Sequence, residues 1–314
     1  MNTTSRFQTL LGKAVIYCIF IACGVVFLLF GIQHFGAKYA ERAFLKQLEQ
    51  SGLTPLVHYE KVHFDPFTLT PSFEQVRVGN PEAPWLHFAR IAFNSYPLTH
   101  PNLDISFWVQ ESAIEEVSRD TGRLMRAAGI DTLLAKGTFS SQTEGQAVNT
   151  HFDLIIKDVG KVSLSSHINL LNDAINLPEL RSDLLASIAL GQPEAMLNLY
   201  GDDIELSSLS ARYDEAGLVA HLLPAQPMSA RATQAQKDAF AFGSQMLGLA
   251  PANSPEAKHI ATTLTDFLAD PQTIRLAVTP DTAVSLTQLA RYASEGRLYQ
   301  TSQMNLSVQA ANPQ

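Results

Sequence analysis

Residues 73–78 (FEQVRV), 86–93 (LHFARIAF) and 103–109 (LDISFWV) are three runs in which apolar and polar residues alternate. Successive side chains of an extended chain point to opposite faces, so period-two alternation marks strands with one buried face. Val62 and Phe64, set between Lys61, His63 and Asp65, begin the pattern. It breaks at Asp65-Pro66, at residues 79–84 (GNPEAP), and between Tyr96-Pro97 and Pro101-Asn102, where Gly, Pro and Asn favour turns. Residues 57–109 therefore read as an antiparallel meander of about four strands. Trp85 and Phe93 are expected inside it, with Arg90 outside.

Upstream lies a different signal. Residues 14–32 (AVIYCIFIACGVVFLLFGI) carry no charge, and at ~1.5 Å per residue they make a helix of about bilayer thickness. The expectation is an uncleaved transmembrane helix. A cleaved secretory signal has a shorter apolar core with small residues at −3 and −1; cutting after Ala37 or Ala40 would place Phe35 or Lys38 at −3. A lipoprotein site at Cys23 would follow Phe20-Ile21-Ala22, and the apolar run continues beyond it. The chain then divides into a cytoplasmic tail (1–13), a transmembrane anchor (14–32), a juxtamembrane helix (33–53) and a periplasmic α+β domain (54–314). The N-in orientation, in a bacterial inner membrane, rests on the short tail and the long following domain, because Lys38, Arg42 and Lys46 on the far flank offset Arg6 and Lys13. In the segment from Lys38 to Leu53, Ala40, Phe44, Leu45 and Leu48 share one helical face and Gly52 reads as the stop. Docking on the domain is the plain reading of that helix, and self-association the sharper one.

Downstream, Ser112 to Leu134 reads as a helix through Ile114, Val117, Leu124 and Met125, with Gly122 and Gly129 weakening it. Strands are expected at 138–141, 151–156 and 160–170, where Val162, Leu164, Ser166, Ile168 and Leu170 alternate. A helix follows over 177–190, then strands at 195–200, 204–213 and 217–223. A helix from Ser229 to about Leu249 precedes Ser254-Pro255-Glu256, which is an N-cap, a first-turn proline and a first-turn acid. That second helix aligns Ile260, Leu264, Phe267 and Leu268 and stops at Asp270-Pro271. A strand at 273–279, a short helix at 284–294 and a closing strand at 304–310 complete the chain. The expected fold is α+β: an N-terminal transmembrane helix followed by a large, twisted, mostly antiparallel β-sheet partly covered by helices.

Composition narrows the function. All 30 acids lie beyond residue 32 with 20 of the 22 lysines and arginines, leaving that part at a formal charge of −10. This argues against nucleic acid and against electrostatic adhesion to anionic lipid. Both cysteines, Cys18 and Cys23, fall in the apolar run, so the domain has no disulfide and no thiolate metal ligand. Charged residues make up 17% of the chain, below the roughly 25% of an ordinary globular protein, which leaves a large core or an apolar surface kept for another purpose.

The segment 62–70 (VHFDPFTLT), with Val76-Arg77-Val78, Leu86 and Ile91-Ala92-Phe93, resembles the opening of AsmA-like bacterial envelope proteins, over about residues 10–110. The resemblance implies long curved β-sheets with an apolar inner face, and lipid traffic or outer-membrane assembly; it carries no catalytic residue. The chain departs from that pattern in its shortness and its later helices. The strands expected between 195 and 223 are distantly similar to YdgA-like envelope proteins.

No phosphate loop, nucleophile elbow, zinc-protease motif or dinucleotide fingerprint occurs. His58, Glu60 and His63 come nearest to a metal set, but on a strand His63 points away from the other two; surface histidines near a strand end are the plain reading. Asp202-Asp203 after Gly201 reads as an acidic turn rather than a catalytic pair. No catalytic, cofactor or metal residue is therefore assigned, and the protein is expected not to be an enzyme. The aromatics Phe64, Phe67, Phe73, Trp85, Phe88, Phe93, Phe107 and Trp108 are either a covered sheet core or an apolar concavity for acyl chains. On the second reading Phe73, Phe88, Phe93 and Phe107 are the lipid-facing candidates. The expected function is envelope lipid handling or outer-membrane assembly by an inner-membrane-anchored periplasmic protein; the alternative is an anchored scaffold that binds a protein partner. The expected partners are the phospholipid bilayer through the anchor, and acyl chains or an envelope protein through the domain.

Overall fold

The computed structural model describes residues 3–94, 102–172, 175–189, 192, 194–222 and 230–309, without the side chains of 3–24, 26, 185, 188, 189 and 230–232. Among the described residues twelve strands form one sheet. Helix α1 (Thr3–Gln50) leads into β1 (Val57–His58), β2 (Lys61–Asp65), β3 (Thr70–Asn80), β4 (Ala83–Phe93) and β5 (Leu103–Ala113). A 3-10 turn (Ile114–Glu116) and α2 (Arg119–Ala128) precede β6 (Thr132–Glu144), β7 (Ala147–Ile156) and β8 (Gly160–Leu170). Helices α3 (Leu177–Ala189) and α4 (Ala195–Tyr200) separate β8 from β9 (Ile204–Glu215). Then come α5 (Leu218–Leu222), α6 (Ala230–Met246), α7 (Pro255–Ala269), β10 (Thr273–Val278), β11 (Val284–Ser285), α8 (Leu286–Ser294), α9 (Leu298–Thr301) and β12 (Met304–Gln309). The strand order is β1-β3-β4-β5-β6-β7-β8-β9-β10-β12, with β2 also on β3 and β11 also on β9.

Every described pairing is antiparallel, and the registers align one face across the sheet. Phe73 lies opposite Ile91, Ile91 opposite Phe107, Phe107 opposite Gly137, and Gly137 opposite Leu154. The row continues through Val162 and Tyr213 to Ile274. The next register on the other face runs Ser106, Thr138, Asp153, Ser163, Arg212, Arg275. Alternation in each strand and register between strands thus give one apolar and one polar face.

Helices cover the apolar face in patches. The last turns of α1 bring Phe44 against Phe73, with ring centroids 4.2 Å apart, and Tyr59 and Val57 complete that cluster. Gly36 of α1 lies so near β2 that a Cβ there would overlap the Phe64 ring. Helix α3 buries Leu177 and Leu180 against Val148, Leu170 and Ile204. Helix α2 packs Met125 against Val109, Leu133 and Ala135. Helix α7 packs Ala257 and Ile260 beside Tyr299, Met304 and Leu306.

The N-terminal part of the expected fold is corrected. A transmembrane helix over 14–32 followed by a separate juxtamembrane helix over 33–53 is not what the chain forms: α1 runs unbroken from Thr3 to Gln50, and among the described residues no helix is long and apolar enough to cross a membrane. The described part of α1 carries Lys38, Glu41, Arg42, Lys46 and Glu49, which dilute its hydropathy. The side chains of 14–24 and 26 lie outside the described residues. Gly52 does end the helical region, at φ 66°. Of the expected docking face, Ala40 and Leu48 are buried while Leu45 is exposed.

Other expectations are redrawn locally. The helix expected over 112–134 is confined to Arg119–Ala128, capped by Ser118, whose Oγ accepts from the Thr121 N–H, and by Gly129 at φ 71°. β5 extends to Ala113 and β6 starts at Thr132, so strands take both ends of that window. The strands expected at 195–200 and 217–223 are helices α4 and α5 over most of their described residues. Leu223 and Ser229, and Tyr96, Pro97 and Pro101 of the expected turn before β5, lie outside the described residues. Trp85, expected inside, is 39% exposed, its ring packed on Gly79, where φ is 105°. Phe93 is buried and Arg90 exposed, as expected.

The two faces can be probed separately. A Cβ at Gly137 would overlap the Phe107 ring and lie 2.5 Å from the Asp153 carbonyl oxygen. Gly137→Ala is expected to destabilise by about 1–3 kcal/mol, the usual cost of overpacking; a melting temperature equal to wild type would show that the Phe107 ring and the β7 backbone give way without cost. On the polar face, partial burial works against the Asp153 carboxylate, but hydrogen bonding to Ser163 at 2.5 Å and His151 at 3.1 Å and the Lys161 ammonium at 3.3 Å outweigh it and hold its pKa below the usual value. A lowered folded-state pKa gives stability that is present above the unfolded value and is lost as pH falls through the folded one. Asp153→Asn should therefore melt below wild type at pH 7, by no more than about 1 kcal/mol because its partners are partly exposed. The gap should close once both are acidified below the folded value, and a gap independent of pH would show that charge is not the cause.

Candidate functional site

The apolar face is not covered evenly. Between the cluster under α1 and the cluster under α2, residues such as Ile91, Leu103, Ile105, Phe107, Phe139, Phe152 and Leu154 remain half-buried. They floor a cavity of about 560 Å³ whose wall also includes Leu86, Phe88, Val109, Leu133, Ala135, Ile156 and, from α3, Leu184 and Arg181. A second cavity of about 250 Å³ lies between α1, α3 and Phe73, Val76, Ile91, Phe93, Leu103 and Ile105. Ile91, Leu103, Ile105 and Arg181 line both. From β3 to β7 is four strand spacings, or about 19 Å of floor.

A change of phase in the strands creates this floor. Gln75 takes φ 53°, and β4 slips one residue against β5 between Phe88 and Arg90. Strict alternation would put Phe88 and Ile91 on opposite faces; instead both line the larger cavity. Phe73 and Val76 likewise share one cluster. Bulges of this kind bend a strand and re-aim its side chains. Phe88 meets Phe107 edge to face at 5.8 Å, and Phe107 stacks on Phe152 at 6.2 Å.

The smaller cavity carries the polar groups. Gln47 of α1, Ser51 in the turn that follows it, and Ser182 and Arg181 of α3 line it. The Gln47 amide donates to Ser182 Oγ, tying the helices together. Arg181 Nη2 donates to Ser141 Oγ at 2.8 Å, and Ser141 is itself buried on β6. Burial pushes the Arg181 pKa down to about 10, still far enough above neutrality to keep the guanidinium charged.

The four lipid-facing candidates divide. Phe88 and Phe107 line the larger cavity; Phe73, 1% exposed, and Phe93 border the smaller one as buried core. Sequence reasoning misses Arg181. Its signal is a cation set beside Leu177, Leu180 and Leu184, on the apolar stripe of a helix where charge is otherwise excluded. His58, Glu60 and His63 go separate ways: Glu60 pairs with Arg77 at 3.0 Å and His63 contacts Gln33 at 3.3 Å. Among the described residues no cluster of three His, Cys, Asp or Glu is placed to hold a metal ion. Asp202 and Asp203 lie in the turn before β9, where the Asp203 carbonyl accepts from the Leu171 N–H.

The different surroundings of Phe73 and Phe107 give a paired test. Phe73→Asp would place a charge in closed core, at a cost of several kcal/mol, whereas Phe107→Asp opens onto the cavity. The first should abolish cooperative melting and the second should retain it. Collapse of both would mean that the cavity is closed core.

A family model described as "Uncharacterized protein" matches residues 153–311, just over half of the chain, and the chain belongs to that family. The match runs from β7 to β12, whereas the larger cavity is floored mostly by strands before it. No curated protein matches the chain.

Proposed function

We propose that this member of the family is a binding protein that holds an acyl chain, or an apolar molecule of similar shape, between the apolar face of its sheet and helices α1 and α3. The observation that carries this reading is the cavity of about 560 Å³ lined, apart from Arg181, by apolar residues. Its size falls within the roughly 300–1,000 Å³ of small-molecule sites. An apolar void of this size forfeits dispersion contacts unless something fills it. The four separate packing clusters support the same reading, since the helices leave a half-buried strip between them. The resemblance of residues 10–110 to AsmA-like proteins supports handling of lipid in the bacterial envelope as its setting. The chemistry is binding and shielding of chains from water, without a covalent step.

The test is titration of the purified full-length protein with N-phenyl-1-naphthylamine, an uncharged probe that fluoresces in apolar surroundings. Saturable binding at one site is expected. Leu154→Trp, which places bulk in the cavity, should weaken binding at least tenfold, about 1.4 kcal/mol, with cooperative melting retained. Absence of saturable binding, or equal binding by the variant, would overturn the reading; a stoichiometric protein partner in place of a ligand would favour the scaffold.

A further inference from the structure

We infer that the groove is built for a monoacyl carboxylate, a long-chain fatty acid whose head group is received by Arg181 and whose tail lies along the larger cavity. This rests on the proposed binding function and adds the chemistry of its ligand. Two independent features point to it.

The first is the distribution of polarity. Gln47, Ser51 and Ser182 all belong to the smaller cavity, while among the described residues the larger one has Arg181 as its sole charged or hydrogen-bonding wall side chain. The smaller cavity is otherwise apolar, through Phe44, Leu48, Leu53, Phe73, Val76 and Phe93, so the groove is apolar throughout with its polar side chains gathered at and to one side of Arg181, which matches an amphiphile in one orientation. The second is the place of Arg181 itself. It lines both cavities, at the boundary that Ile91, Leu103 and Ile105 also mark. The hydrogen bond to buried Ser141 fixes the guanidinium there. The planar guanidinium matches the two oxygens of a carboxylate, and a charge-assisted pair gains strength where water is scarce. One cation beside one apolar strip suits one head group and one chain.

The experiment uses full-length protein loaded with N-phenyl-1-naphthylamine and displaces the probe with hexadecanoate, 1-hexadecanol or vesicles of diacyl phosphatidylglycerol. Hexadecanoate is expected to displace it at about tenfold lower concentration than the alcohol, the scale of a charge-assisted hydrogen bond. Arg181→Gln should remove that preference by weakening the acid alone, and Arg181→Lys should keep part of it. Melting curves establish that both variants are folded. Should Arg181→Gln fail to fold, the comparison of acid with alcohol in the wild type and in Arg181→Lys decides. Equal displacement by acid and alcohol, a preference that survives Arg181→Gln, or stronger displacement by the phospholipid would each overturn the inference while leaving the apolar groove intact. Failure of the probe itself to bind would overturn both.

Discussion

The structure depends on one register. From Phe73 on β3 to Ile274 on β10, the residues that meet across each strand pair are mostly large and apolar on one side of the sheet. A one-residue slip at any pair would turn half of that row toward the polar face. The same register assembles Asp153, Ser163, Arg212 and Arg275 on the other side, where Arg212 pairs with Asp214 at 2.7 Å. An apolar face this wide must be covered, and the helices do so as the chain leaves and rejoins the sheet. α3 and α4 sit in the excursion between β8 and β9, and α5, α6 and α7 in the one between β9 and β10. They pack in separate patches, which leaves a half-buried strip between the clusters under α1 and α2.

The strip lies beside irregularities in the strands. Gln75 holds a left-handed conformation, which costs a non-glycine residue roughly 1–3 kcal/mol unless its surroundings enforce it. Its side chain is engaged across the strand pair, with Oε1 2.9 Å from His87 Nε2. Further along, β5 slips against β6 between Val109 and Ser112. These irregularities place residues three apart on one face, widening the apolar strip at Phe88 and Ile91. The cavity is thus a product of strand geometry as much as of missing cover.

The central strands were legible in the sequence because their alternation is clean and their turns carry Gly, Pro or Asn; β8 runs as read, from Gly160 to Leu170. Helix α7 was legible from its cap, and Ser254 Oγ does accept from the Ala257 N–H at 3.1 Å. Helix α4 was not, because residues 195–200 satisfy two periods at once. Ala195, Leu197 and Leu199 suggest a strand, yet Met196 and Tyr200, spaced as on a helix, are the residues that touch the cluster under α3. Helix α5 hid behind Glu215, whose carboxylate accepts from the N–H groups of Gly217 and Val219 and turns the chain after β9. The cavity is half legible. The aromatics mark the strands that floor it, but their division into core and cavity depends on the slip after Phe88, which no local pattern reveals.

Arg181 ties the incomplete cover to the site. A helix that lays Leu177 and Leu180 on the sheet would ordinarily continue with an apolar residue and close down on Ile91, Leu103 and Ile105. A guanidinium cannot follow that course, because burying its charge without polar neighbours costs several kcal/mol. At this position the fold supplies Ser141 beneath it, and the Gln47 amide holds Ser182, the next residue, to α1. These contacts satisfy polar groups at the boundary and keep α3 from settling onto the strands beyond. The same side chain therefore explains why the two cavities meet where they do and why that meeting point, unlike the rest of the strip, is charged.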